Sequence, residues 1–252
     1  YIIKKQMVNI NNVYQKVLAL ANKEQRGYIT PQEFNLFADH AQMDIFEQYF
    51  YDLEQRQRGS GNEFDYADIV TNIEEKISMF EVNDKPISSQ VGGMSYVSSS
   101  LPDFYRLGTV NVTYSNTETA KTAEQIQLKE LNKYKESPLA TWTQSRPVYS
   151  KFFMANSPIT IKIYPAPSNL GTVRVSYIRK PNSPNWTYLI GASKNALYNP
   201  NAGDHHDFEL HSSEENNLVI KILQLAGIAI KDFNLLQAAS QEETKSIQLE
   251  KQ

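Results

Sequence analysis

The hydrophobic periodicity of the chain changes twice along its length, and this feature constrains the fold more than any other. Residues 31–53 carry apolar side chains at helical spacing, as one face of an amphipathic helix requires. Residues 159–178 instead contain runs in which apolar and polar side chains alternate, which is the period of a half-buried strand. The helical period returns over residues 212–232. This order of helices, strands and helices predicts an α+β fold.

The same pattern divides the chain into three parts. Residues 1–86 are predicted to form an N-terminal helical module, residues 87–207 a central β-rich module, and residues 208–252 C-terminal helices that pack on the first module. The terminal helices would form a bundle, and the central strands an antiparallel sheet or sandwich. The predicted helices cover residues 8–21, 31–53, 66–80, 124–135, 212–232 and 238–251. The predicted strands cover residues 104–114, 149–154, 159–164 and 173–178.

The central module also contains a long stretch rich in Asn, Pro and Gly. It covers residues 182–207 and has no clear helical or strand period. Loops of this length are usually functional, ordered by a partner, or mobile. We therefore interpret residues 182–207 as a long irregular loop.

Composition excludes several classes of protein. The chain has 252 residues and no cysteine, so disulfide scaffolds, cysteine-ligated zinc and thiol catalysis are ruled out. Its longest apolar run, residues 218–230, contains Lys221 and Gln224 and is too short to span a bilayer, so we expect no membrane partner. The 15 tyrosines fit either surfaces that become buried on assembly or an ordinary tyrosine-rich β-domain.

The net charge of −3 is unevenly distributed along the chain. Residues 1–86 contain 9 basic and 14 acidic side chains, and residues 204–252 contain 4 and 9, so each end has a net charge of −5. Residues 87–203 contain 12 basic and 5 acidic side chains, a net charge of +7. Two interpretations stay open. The basic middle of one copy packs against acidic parts of the next, or the helices simply carry solvated acidic faces.

Residues 22–33 match part of the loop of a calcium-binding EF-hand. Gly27 occupies the sixth position and Glu33 the twelfth, as that motif requires. The fifth position is Arg26, a cation where the metal needs an oxygen ligand. Thr30 and Glu33 also form a capping box, with Pro31 at the first helical position. We therefore predict a helix–turn–helix hairpin here, with a calcium-responsive binding module as an alternative.

Residues 204–207 (Asp-His-His-Asp), with His211 beyond them, have the composition of a metal site without its spacing. Adjacent histidines in an extended segment point to opposite sides, so they do not readily chelate one ion. The sequence also contains no Gly-x-Ser-x-Gly elbow, phosphate-binding loop or dinucleotide fingerprint. We therefore predict no catalytic, cofactor-binding or metal-binding residues, and we expect that the protein is not an enzyme.

A series of short motifs resembles the podovirus-type head-to-tail connector proteins of bacteriophages. They follow the order of that family: Leu101-Pro102-Asp103, an inserted short helix, Pro147-Val148-Tyr149, Ile163-Tyr164-Pro165-Ala166-Pro167, and an alternating strand from Val173 to Pro181. Residues 25–35 and 44–50 are similar to virion structural proteins of crAss-like phages and of marine podoviruses that infect Bacteroidetes. The resemblance covers most of the chain and depends on the order and spacing of these motifs.

The resemblance implies a structural subunit of a homo-oligomeric ring, typically of twelve copies, in the neck of the virion. Such a ring assembles in the host cytoplasm, joins the portal protein to other neck and tail proteins, and surrounds the channel through which DNA is ejected. An acidic subunit without a basic stripe suits a DNA conduit, because many phosphate contacts would slow ejection. A receptor-binding or decoration protein of the virion is an alternative.

Overall fold

A computed structural model of the protein divides the chain into a helical unit and a β unit. The structure describes residues 7–23, 29–58, 64–87, 89–91, 95–97, 101, 103–114, 119–154, 157–167, 173–191, 196–230, 241 and 245. The helical unit comprises residues 1–77 and 181–252, and the β unit comprises residues 78–180. Helices and antiparallel sheets are both present, which confirms the predicted α+β class. Most of the predicted helix at residues 238–251 lies outside the described residues.

The elements follow one another in the predicted order of helices, strands and helices. The helices are α1 (Ile10–Lys23), α2 (Pro31–Arg58), α3 (Phe64–Ser78), α4 (Leu131–Glu136) and α5 (Glu215–Ile230), with 3₁₀ turns at Leu128–Glu130 and Ser212–Glu214. The strands are β1 (Glu81–Ile87), β2 (Ser89–Val91), β3 (Ser95–Val97), β4 (Phe104–Val112), β5 (Lys121–Thr122), β6 (Glu124–Gln125), β7 (Val148–Met154), β8 (Ser157–Tyr164), β9 (Val173–Arg179), β10 (Tyr188–Ile190) and β11 (Ala196–Tyr198).

Helix α2 begins at the predicted capping box. The Glu33 backbone N–H donates to Thr30 Oγ1 at 3.3 Å, and the Thr30 backbone N–H donates to Glu33 Oε2 at 2.9 Å. The Thr30 hydroxyl adds a hydrogen bond of 2.7 Å to the same carboxylate oxygen. These bonds satisfy backbone donors that the first turn of a helix otherwise leaves without partners. They also lower the pKa of Glu33, chiefly through the Thr30 side chain and then its backbone.

The core of the helical unit lies where α5 packs against α1 and α2. This confirms that a helix near the C-terminus returns to the opening helices. The packed faces carry fully buried apolar side chains: Val13, Val17, Phe34, Ala38, Phe46, Leu218 and Ile222. Each large side chain of this kind contributes roughly 1.5–3 kcal/mol by leaving water. At the surface, Lys16 and Glu215 form an ion pair of 2.9 Å between α1 and α5.

The β unit contains two sheets whose apolar faces share one core. The four-stranded sheet has the order β1-β9-β4-β5, and the five-stranded sheet has the order β2-β3-β8-β7-β6. Alternate residues of both sheets enter the same core, among them Val110, Val175, Tyr149, Ile161 and Ile163. The strands pair antiparallel, as predicted, except that β6 runs parallel to β7.

The predicted helix over residues 124–135 is too long at its start. Glu124 and Gln125 form strand β6, and helical structure begins only at the Leu128–Glu130 turn. The Glu124 backbone N–H donates to Pro147 O at 3.0 Å, and that of Ile126 donates to Tyr149 O at 2.9 Å. Long-range backbone pairing to the chain around β7 therefore overrides the local helical pattern.

The boundaries between the two units differ from those predicted from the sequence. Residues 81–86, predicted to end the helical module, form β1 together with Ile87 and pair with β9 in the β unit. Residues 182–207, predicted to be a loop of the β-rich module, belong to the helical unit and contain the hairpin β10–β11. The boundaries thus lie at residues 77/78 and 180/181 rather than at 86/87 and 207/208. Buried contacts of Trp186 with α1 and α2 account for the second shift.

Candidate interaction surface

Trp186 fixes residues 181–211 to the helical unit. Its indole is 2% exposed, and its ring centroid lies 4.3 Å from that of Tyr14 on α1. Tyr188 and Tyr198 stack against it at centroid distances of 5.8 and 5.7 Å, so both strands of the hairpin rest on this ring. The indole N–H donates to Asn11 Oδ1 at 3.1 Å, which gives the buried polar atom its partner.

A side-chain amide on α2 holds the backbone of the same tryptophan. Asn35 Oδ1 accepts the Trp186 backbone N–H at 2.9 Å. Asn35 Nδ2 donates to Asn185 Oδ1 at 2.8 Å and to Trp186 O at 3.2 Å. Because the amide presents both a donor and an acceptor, one side chain hydrogen-bonds both the backbone N–H and the backbone carbonyl of Trp186. The start of the hairpin is therefore fixed to α2 as well as to α1.

A second side-chain amide, which is buried, joins the two ends of residues 181–211. Gln42 on α2 is fully buried, and its Nε2 donates to Asn182 O at 2.8 Å. Its Oε1 accepts the backbone N–H of Glu209 at 3.0 Å. The Glu209 carboxylate in turn accepts the backbone N–H and the side-chain amide of Asn182, at 2.9 and 3.0 Å. These hydrogen bonds hold the two ends of residues 181–211 next to each other on α2.

The Asp-His-His-Asp stretch contributes to helix capping. Asp207 Oδ1 accepts the backbone N–H of Ile10, the first residue of α1, at 2.9 Å. His205 Nε2 lies 3.3 Å from the Tyr198 hydroxyl and 3.8 Å from Asp207 Oδ1, while the backbone of His206 pairs with Asn185. Burial, followed by the negative charge of Asp207, raises the pKa of Tyr198. Residues 204–207, which the sequence placed in an irregular loop, thus have defined hydrogen-bond partners on α1, β11 and Asn185.

The described residues bring no metal-binding cluster together. Within them, no group of three or more His, Asp or Glu side chains is placed to hold an ion. In the EF-hand-like segment, the Glu33 carboxylate that would be the last calcium ligand accepts hydrogen bonds from Thr30 instead. Residues 24–28, which include Arg26 and Gly27, lie outside the described residues.

Beyond its tyrosine base, the hairpin presents apolar side chains to solvent. Strands β10 and β11 pair Tyr188 with Tyr198, Leu189 with Leu197, and Ile190 with Ala196. Leu189, Ile190 and Leu197 are between 58% and 74% exposed, and we call these three residues the apolar hairpin. In the described part of the chain, β10 and β11 pair only with each other. An apolar element that is exposed yet firmly anchored has the character of a binding surface.

The β unit has its own exposed leucines, on the insert between β6 and β7, which we define as residues 126–147. Leu128 and Leu139 are 59% and 94% exposed. The Trp142 ring packs on Tyr164 of β8 at 5.1 Å, which holds the insert against the sheet. The same insert carries three exposed lysines: Lys129, Lys133 and Lys135. It therefore combines exposed apolar side chains with positive charge.

The anchor and the hairpin were not predicted from the sequence, because residues 182–207 have the composition of a loop. Within residues 182–207, Leu189-Ile190 and Ala196-Leu197 are separated by residues 191–195, which is a weak pattern for a hairpin. Nothing local indicates that Trp186 is buried, since its partners Asn11, Tyr14 and Asn35 lie far away in the sequence.

No protein-family model matches the chain, and no curated protein matches its sequence. Among the described helices, none is both long and apolar enough to cross a membrane.

Proposed function

We propose that the chain is a structural subunit of an oligomeric ring in the neck of a bacteriophage virion, where it joins the portal protein to the tail. It acts by assembly and has no catalytic site. DNA passes through the lumen of the ring without sequence-specific binding. The motifs that resemble head-to-tail connector proteins supply the identity of the assembly. The observation that carries the assembly role is the apolar hairpin on its anchored base.

The hairpin supports a role in assembly because exposed apolar side chains on a fixed element are costly unless a partner covers them. Association loses less conformational entropy when one surface is already ordered. Trp186, Asn35 and Gln42 supply that order through buried contacts to α1 and α2. Leu189 and Leu197, which pair across the two strands, can form the buried centre of an interface whose remaining contacts are polar.

The charge of the two units supports the same role. The β unit contains 12 basic and 7 acidic residues, a net charge of +5, and the helical unit contains 13 and 21, a net charge of −8. Ring closure needs a heterologous interface, in which one face of a subunit meets a different face of the next. Units of opposite charge favour such a head-to-tail arrangement over the pairing of like faces.

The experiment that tests the proposal locates the chain in purified particles of the phage whose genome encodes it. Quantitative mass spectrometry is expected to find it in a fixed ratio to the portal protein. Electron microscopy with a labelled antibody is expected to place it between head and tail. Absence from purified particles would refute the proposal. Labelling over the capsid or on tail fibres would also refute it, and would favour the receptor-binding or decoration alternative.

A further inference from the structure

We propose that Lys76 and Asn217 form an isopeptide bond, a covalent amide between their side chains, with Glu214 as the general base. The bond ties α3 to α5 within the helical unit. The inference goes beyond the proposed function and does not depend on it. Because the reaction occurs once in each copy and uses no external substrate, the chain modifies itself without being an enzyme.

One buried carboxylate holds both reacting groups. Glu214 is 4% exposed, and its Oε1 accepts a hydrogen bond from Lys76 Nζ at 2.6 Å. Its Oε2 accepts a hydrogen bond from Asn217 Nδ2 at 2.8 Å. The amine and the amide are therefore neighbours on the two oxygens of one carboxyl group, although Lys76 and Glu214 are 138 positions apart in the chain. A nucleophile and an acyl group that share a general base have the arrangement that acyl transfer requires.

The surrounding residues orient the lysine and limit its contact with water. The Lys76 ammonium lies 5.5 Å from the centre of the ring of Tyr49, which is buried on α2. The Lys76 side chain is only 26% exposed. Asn217 follows Glu214 by three positions, so about one helical turn fixes the base relative to the acceptor. Reacting groups that are held in this way need no collision between free side chains.

The reaction exchanges one amide for another. A proton passes from the Lys76 ammonium to the Glu214 carboxylate, which leaves a neutral amine with a free electron pair. That pair attacks Asn217 Cγ and forms the new C–N bond. The Glu214 carboxyl gives its proton to Asn217 Nδ2 and takes the second proton of the attacking amine. The bond between Cγ and Nδ2 then breaks and ammonia leaves, so nothing is oxidised or reduced and no co-reactant is needed.

An isopeptide bond gives the chain a cross-link that does not depend on redox conditions. The chain contains no cysteine and therefore cannot form a disulfide. A bond between residues 76 and 217 closes a long loop, and cross-links of this kind stabilise a fold by restricting its unfolded state. In a linked chain, substitution of Lys76 therefore removes more than the ion pair with Glu214.

Mass spectrometry of the purified and denatured full chain tests the bond directly. We expect a mass lower than that of the sequence by one ammonia. After digestion with trypsin, a branched peptide should join the segments that contain Lys76 and Asn217, and cleavage after Lys76 should be lost. Lys16 is the internal control: it forms an ion pair with Glu215, its side chain is 49% exposed, and trypsin should cleave after it.

Three substitutions assign the roles of the residues. Lys76→Arg keeps the positive charge but has no amine that can lose its proton, and Asn217→Ala removes the acceptor. Both variants should have the full mass of their sequences and melt at a lower temperature than the parent. Glu214→Gln keeps the size of the base but cannot take a proton, so it should slow formation of the bond by about a hundredfold or more. Circular dichroism spectra like that of the parent identify the variants that fold.

Several results would overturn the inference, and the first needs no variant. A parent chain that keeps the full mass of its sequence after long incubation refutes the bond. Loss of ammonia that persists in Lys76→Arg indicates that an asparagine has cyclised on its own backbone. Loss of water in place of ammonia puts the link on a carboxyl group. Bond formation in folded Glu214→Gln at the rate of the parent shows that Glu214 is not the base.

Discussion

Replacement of Trp186 by alanine should strongly destabilise the helical unit. The indole is 2% exposed and contacts the rings of Tyr14, Tyr188 and Tyr198. Truncation of a buried aromatic side chain to alanine costs about 3–5 kcal/mol, because apolar contact is lost and a cavity remains. Asn11 Oδ1 also loses the hydrogen bond that the indole N–H donates. For a chain of this size, each kcal/mol lost lowers the melting temperature by about 2–4 °C. The melting temperature should therefore fall by about 6–20 °C.

The free energy of unfolding is best measured by urea denaturation of the full chain, followed by the far-ultraviolet circular dichroism of its helices. Trp142→Ala is a matched control, because Trp142 is only half-buried and packs on Tyr164. We expect that control to cost about 1 kcal/mol. Trp186→Phe separates the two contributions, since it keeps most of the ring contact and loses the N–H donor. A loss below about 1 kcal/mol for Trp186→Ala, or a loss no greater than that of the control, would refute the anchoring role.

Three further substitutions test other contacts. Asn35→Asp should destabilise the fold by about 1–3 kcal/mol in urea denaturation, because it turns a donor into an acceptor that faces two oxygens. The loss should be larger above the pKa of the new carboxyl. Equal stability of Asn35→Asp and the parent would contradict the contact. Hydrogen bonds from Thr30 lower the pKa of Glu33 below 4.5, so their contribution to stability is complete above that value and is lost as the pH falls through the lowered folded-state pKa. Acid titrations should show that Thr30→Ala weakens this pH dependence, and an unchanged profile would argue against the capping box. Lys76→Met should lower the free energy of unfolding by about 3 kcal/mol, since the buried Glu214 carboxylate loses a partner 2.6 Å away. An unchanged free energy in thermal or urea unfolding would imply that the carboxylate is solvated.

Several features of the fold are local enough for the sequence to predict them. The capping box needs only Thr30 and Glu33, which lie in one turn, and both of its backbone hydrogen bonds form as predicted. Strand β9 follows from the alternation of Val173, Val175 and Tyr177, which all face the core of the β unit. In each case the pattern lies within a few residues, so distant parts of the chain do not alter it.

The candidate surface could not be predicted in the same way. The sequence indicated that residues 182–207 were unusual in length and composition, but it did not indicate a hairpin with exposed leucines. The apolar residues on either side of residues 191–195 form no clear strand pattern, and the contacts that anchor the hairpin come from α1 and α2. The prediction that the protein lacks catalytic and cofactor-binding residues stays a prediction, as does its place in a virion.

By itself, the sequence determined the α+β class, the order of the elements and the capped start of α2, because hydrophobic period and capping are properties of neighbouring residues. Only the tertiary structure decided that residues 81–87 are a strand, that Glu124 and Gln125 leave the helix for a sheet, and that Trp186 is buried. The bonds that Trp186 makes to Asn35 and Asn11 span 151 and 175 positions of the chain. Their formation depends on which surfaces come together when the chain collapses, and a local pattern of residues does not encode that choice.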